Sequence, residues 1–134
     1  MKKFILAVVA VFVAWGILDM IIHGLILEPL YQQSAQLWRP EGEMMMGLMY
    51  IVSLLSSIFF VWIYYALINK SMKNALLYGL FYGLATGISM GYGTYSFMPI
   101  PYLLALGWFL GTVLETVVAG ALLGWIIKEE EKKE

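Results

Sequence analysis

Residues 102–127 read YLLALGWFLGTVLETVVAGALLGWII, a run of twenty-six positions in which Glu115 is the one charged side chain. Crossing a hydrocarbon core of about 30 Å takes roughly 20 predominantly apolar residues in a helix. This run is long enough. Three further stretches of the same kind precede it, at 4–27, 44–68 and 75–95. They are separated by 28–43, by NKSMKN at 69–74 and by SFMPIP at 96–101. The chain therefore reads as an all-α integral membrane four-helix bundle, a single transmembrane domain over 1–134 with a tail at 128–134.

Composition points to the same solvent. Hydrophobic residues make up 62% of the chain and charged residues 13%, far from the balance of a soluble domain. A net charge of -1 without a basic cluster leaves no electrostatic footprint for nucleic acid. The absence of cysteine excludes disulfides, thiolate metal sites and a cysteine nucleophile. A single histidine means that a two-histidine zinc site or a bis-histidine haem would have to be shared between chains. The opening MKKFILAVVAVFVAWG starts like a signal peptide, but its apolar run continues to Leu27 without a small-x-small cleavage site, so it reads as a retained span.

Cations set the expected orientation. Lys2, Lys3, Lys70, Lys73, Lys128, Lys132 and Lys133 fall on one side of the four-span layout and Arg39 alone on the other. Lysine and arginine near span ends stay in the cytoplasm, which puts both termini there and makes the chain a multi-pass protein of the plasma (inner) membrane. In the tail, Glu129 and Lys133 are spaced i, i+4 as in a solvated helical extension of the fourth span.

The first outer loop carries a pattern of its own. After Pro29, LYQQSAQLW places Leu30, Tyr31, Ser34, Leu37 and Trp38 on one face and Gln32, Gln33 and Gln36 opposite. That predicts a short interfacial helix anchored by Tyr31 and Trp38, or a first span that continues through a proline kink. Glu41 and Glu43 are then expected in the first turn of the second span, where the helix dipole favours anions.

Small residues predict the packing. Ala75, Gly79, Gly83, Gly87 and Gly91 recur every four residues along the third span, and Gly107 and Gly111 form a similar ridge on the fourth, with Gly120 and Gly124 on another. Membrane helices approach closely along such ridges. The short turn through Pro99 and Pro101 makes the two spans antiparallel neighbours. Gly107 then comes level with Met90, Gly111 with Thr86, and Glu115 falls against Tyr82, Gly83 and Thr86.

Asp19, His23 and Glu115 are the ionisable groups inside the spans, and such groups usually face protein or water. Asp19 and His23 share a face at i, i+4, with Asp19 about 12 Å below the outer end at 1.5 Å per residue. Ser53, Ser56 and Ser57 lie at similar depths. In one reading a polar track descends through His23 and Asp19 to Glu115 and suits protons or a small cation. In the other, Asp19 bonds His23 locally, a protonated Glu115 bonds Tyr82 or Thr86, and the bonds serve packing alone.

Seven methionines, Met20, Met44, Met45, Met46, Met49, Met90 and Met98, fall toward the outer side. Thioethers suit Cu(I), so His23, Met45 and Met49 are candidate ligands, although methionine is also a common gap-filler. No cofactor is expected; copper or haem is the lesser alternative. HExxH, GxSxG, Walker and paired-acid motifs are absent. GYGTYS at 91–96 ends a full span and lacks the context of a potassium filter.

As a set, HGLILEPLYQQSAQLWRP at 23–40, GLFYGLATGISMGYGTYSFMPIP at 79–101 and LGWFLGTVLETVVAGALLG at 106–124 resemble the small bacterial four-span membrane proteins grouped as a domain of unknown function. The resemblance implies the architecture and no activity. The chain departs from the tryptophan-tyrosine-proline pattern expected at the first-span exit.

The leading expectation is thus a non-enzymatic membrane protein with no catalytic residues. It would associate through glycine-rich faces in the lipid bilayer, as a homo-oligomer or an accessory subunit of a larger membrane complex. The alternative is a small transporter or channel for protons or a small cation, using Asp19, His23 and Glu115. The third is a metal- or cofactor-binding protein in which Tyr92, Tyr95, Trp108 and His23 line a pocket.

Overall fold

The computed structural model describes residues 1–128, so the expected Glu129–Lys133 pairing lies outside the described residues. Those residues form helices and connecting turns with no strand. In order they are α1 (Lys2–Ile21), a π-helical turn (Ile22–Ile26), α2 (Glu28–Gln33), 3-10 turns at Ala35–Leu37 and Glu41–Glu43, α3 (Met46–Leu67), α4 (Met72–Ile88), a second π turn (Ser89–Gly93) and α5 (Tyr102–Ile126).

Local chemistry sets most of these boundaries. Proline has no N–H to give and is tolerated at a helix start, and Pro29 stands in the first turn of α2 while Pro101 caps α5. Ser71 caps α4 by accepting a 3.1 Å hydrogen bond from the Asn74 amide. Glu41 and Glu43 do not belong to the first turn of α3. They form a separate 3-10 turn, and α3 begins only at Met46, after an extended Met44.

Three helices are long and apolar enough to cross a membrane: Lys2–Ile26, Met46–Leu67 and Tyr102–Ile126. Residues 75–95 are also helical, but glycine and tyrosine add little hydropathy, and this segment is not among the three.

The closest approach in the fold is that of α4 to α5. A Cβ at Gly79 would overlap the Thr116 carbonyl, one at Gly83 would overlap Thr116 Oγ1, and one at Gly91 would overlap the Ala105 carbonyl. Gly87 meets Phe109 and Thr112. On α5 the facing glycine is Gly120, against Ala75, with Gly124 beside Met72. Gly107 and Gly111 point elsewhere, to Leu27 and Ile22 at the end of the first helix. The sequence expectation that they meet the third span is therefore corrected. At about 100° per residue in an α-helix, a one- or two-residue offset carries a ridge to another neighbour.

Two apolar clusters hold the bundle. One joins α1, α3, α4 and α5 through Val11, Trp15, Phe60, Tyr64, Ala75 and Leu123. There the Tyr78 hydroxyl donates to the Phe60 carbonyl at 2.8 Å, with the two rings stacked at 4.7 Å. The other gathers Ile22, Leu27, Ile100, Leu104, Ala105 and Trp108. Asp19 and Glu115 fall in the sequence intervals between them. Lys2, Lys3, Lys70 and Lys128 line one open cavity at the end where α1 begins and α5 ends. The first half of α3 packs little: Leu48, Met49, Tyr50, Ile51 and Val52 are exposed, and full burial starts at Ser57.

Candidate functional site

Trp15, Asp19 and His23 follow one another at four-residue intervals and so form a stripe on the first helix. The stripe faces α5. The Trp15 indole donates to the Glu115 backbone carbonyl at 3.0 Å. One turn on, an Asp19 carboxyl oxygen lies within 4.8 Å of one from the Glu115 carboxyl. His23 Nε2 lies 3.7 Å from Asp19 Oδ1. One donor atom from each of Asp19, His23 and Glu115 lies within 4.8 Å of the others.

The structure thus brings these three expected residues together, but not along the expected route. Glu115 does not lie against Tyr82, Gly83 and Thr86. Its neighbour Thr116 takes that place, and Glu115 turns one residue around the helix to face the first helix. Tyr82 packs edge-on against Phe60 and Tyr78, the Thr86 hydroxyl donates to the Tyr82 carbonyl at 2.7 Å, and the Ser53 carbonyl accepts from Ser57 at 2.8 Å. Met45 and Met49 are exposed at the start of α3, and neither bonds His23 among the described residues.

Burial across the cluster is graded. The side chains of Asp19 and His23 are 51% and 30% exposed, while Glu115 Oε1 is shut off from solvent and has no protein donor. The Glu115 carboxyl thus faces Asp19 with a buried oxygen that no protein donor satisfies. Two bare carboxylates at this separation repel strongly in an apolar medium. A proton between them or a cation beside them removes the repulsion.

His23 is held from its other side. Its position comes from the π turn, in which the Leu27 amide bonds the Ile22 carbonyl at 2.8 Å, five residues back. Such turns occur often at functional sites. His23 Nδ1 lies 2.6 Å from the Tyr31 hydroxyl, which also accepts from the Trp108 indole at 2.7 Å. An indole N–H only donates, and the Tyr31 proton has no other acceptor among the described residues. Tyr31 therefore donates to Nδ1, and the neutral ring carries its hydrogen on Nε2, toward Asp19. Trp38 packs edge-on against Tyr31 at 5.4 Å and donates to Ser34 Oγ at 3.1 Å.

Tyr31 and Trp38 are therefore part of the bundle and not the outward anchors expected of an interfacial helix. The sequence showed their shared face with Leu30, Ser34 and Leu37, all at least partly buried here, but not which surface that face meets. Burial, more than any charge, pushes the Tyr31 phenol up to about 12, so it stays neutral and donating at physiological pH. Trp108 does stand close to His23 through Tyr31, whereas Tyr92 and Tyr95 pair with Tyr102.

Compared with known families, curated proteins and solved structures, the chain matches none.

Proposed function

We propose that this is a small ion-handling membrane protein in which Asp19, His23 and Glu115 bind a proton or a small cation inside the bilayer. The carrying observation is the convergence of three ionisable side chains from two apolar helices, with a buried, donorless Glu115 oxygen behind a half-open Asp19. Charged groups in apolar spans are costly and are rarely present without a task. In this reading the protein has four spans, α4 with its π turn being the fourth. The cavity lined by Lys2, Lys3, Lys70 and Lys128 faces the cytoplasm, and His23 and Asp19 open toward the outer side of the plasma membrane. An ion would enter at the open pair and reach Glu115 by displacement between adjacent oxygens.

The test is flux in liposomes carrying the purified protein, driven by a pH or cation gradient. Asp19→Asn and Glu115→Gln are expected to abolish a flux that the unaltered chain supports. Equal leakage in all three would refute the reading.

A second reading, association with a second copy or with a larger membrane complex, is favoured by α3, whose first seven residues, 46–52, are all exposed. The glycines of α4 do not support it, because they are used against α5 within the chain.

A further inference from the structure

We infer that the Asp19, His23 and Glu115 cluster is a binding site for a divalent transition metal ion of the zinc class. The inference rests on the ion-handling reading above and names its cation.

Charge comes first. Two carboxyl groups and one neutral imidazole converge within 4.8 Å among apolar helices. With both carboxyls ionised, a monovalent cation would leave one negative charge uncompensated there, whereas a divalent ion neutralises both. Uncompensated buried charge is the costly state in a low-dielectric site. The charge count of the side chains thus selects a dication.

Donor type narrows the choice. Calcium and magnesium prefer cages made wholly of oxygen, whereas one imidazole nitrogen with two carboxylates suits Zn2+ and its neighbours, whose ligands are histidine nitrogen and carboxylate oxygen at about 2.0 to 2.2 Å. Donors at such bond lengths stand about 3.3 Å apart in a tetrahedral site. The Asp19–His23 separation of 3.7 Å is already close to that. A Glu115 carboxyl oxygen already lies within 4.8 Å of both other donors. Three protein ligands leave a fourth position open, on the side where Asp19 is half-exposed.

The second observation is the support behind His23. Metal-binding histidines are usually fixed by a hydrogen bond at the nitrogen that does not ligate. Here Nε2 faces the carboxylates and Nδ1 meets the Tyr31 hydroxyl, itself held by Trp108. When Nε2 takes the metal, the ring hydrogen sits on Nδ1, which keeps it and donates a hydrogen bond to the Tyr31 oxygen. With both carboxyls ionised, the bound dication leaves the site neutral.

The experiment is equilibrium binding of Zn2+ to the full chain in mild detergent, followed by elemental analysis of washed protein. One Zn2+ per chain is expected. His23→Ala and Glu115→Gln should each weaken binding at least tenfold, while Met45→Leu and Met49→Leu leave it unchanged. Because His23→Ala is apt to disturb folding, Co2+ loading of the unaltered chain supplies an independent reading. Intense visible bands of low-symmetry nitrogen and oxygen coordination are expected, lost on adding excess Zn2+. Zinc uptake below stoichiometry, or uptake indifferent to both His23 and Glu115, overturns the inference. Glu115-dependent proton flux without zinc uptake overturns it too, yet leaves the ion-handling reading standing. Stoichiometric zinc without any flux supports the site and refutes translocation.

Discussion

The Tyr31 hydroxyl lies 2.6 Å from His23 Nδ1 and so decides which nitrogen of that ring faces Asp19. The two residues are eight apart in sequence, and the π turn between them turns the α2 segment so that the phenol reaches back over the histidine. Trp108 on α5 completes the arrangement by donating to the same oxygen. The connection after the first helix thereby becomes a support for the cluster between that helix and α5.

Tyr31→Phe removes the one donor to Nδ1. The ring is then expected to populate both neutral tautomers, whereas the unaltered chain holds its hydrogen on Nε2. Nitrogen chemical shifts of a histidine-labelled sample measure this directly. Loss of a partner behind a ligating histidine typically costs ten- to hundredfold in metal affinity, and the same is expected of Zn2+ here. An Nε2–H tautomer persisting in Tyr31→Phe would show that Tyr31 does not position the ring.

The raised Tyr31 phenol predicts an alkaline limit. Its folded-state value of about 12 lies above the ordinary 10, so the folded chain retains a proton that the unfolded chain releases. Its contribution to stability is complete below pH 10 and is lost as the pH rises toward 12. Thermal unfolding in detergent should fall more steeply across that interval for the unaltered chain than for Tyr31→Phe. Parallel curves would contradict the burial of Tyr31 against Trp108.

The α4–α5 contact makes a contrast between glycines. A Cβ at Gly83 would overlap Thr116 Oγ1 and stand 2.9 Å from the Val113 Cα, a backbone atom that cannot swing aside. Gly83→Ala should destabilise the bundle by about 1 to 3 kcal/mol, the usual cost of overpacking. Gly16 has nothing within 4 Å of its own Cβ position. Gly16→Ala is expected to be neutral or stabilising by about 0.4 to 1 kcal/mol through lost unfolded-state freedom. Unfolding midpoints of the two variants in one detergent give the comparison.

Helix positions could be read from apolar run length, and the spacing of Asp19 and His23 from periodicity. Which neighbour each face meets was not legible. Gly107, Gly111 and Glu115 share a ridge, and Ala105, Phe109, Thr112 and Thr116 share one beside it. Both offer small or weakly polar surface, and only the three-dimensional arrangement shows that the first meets the first helix and the second meets α4. The partner of Tyr31 was not legible for a related reason. An α-helical count cannot place a residue beyond a π turn, which shifts register by one position. Because aromatic residues are common at membrane surfaces, Tyr31 and Trp38 read as surface anchors.

The central claim is that the first helix and α5 bring Asp19 and Glu115 to one point. The chain contains no cysteine, so two can be introduced without background. Asp19→Cys with Glu115→Cys, expressed in membranes and treated with a short bifunctional methanethiosulfonate, should lose both thiols to one intrachain link seen by mass spectrometry. Ile17→Cys with Glu115→Cys, on another face of the same helix, should not link. Free, separately labelled thiols at 19 and 115, equal to those of the single variants, would contradict the arrangement and the site built on it.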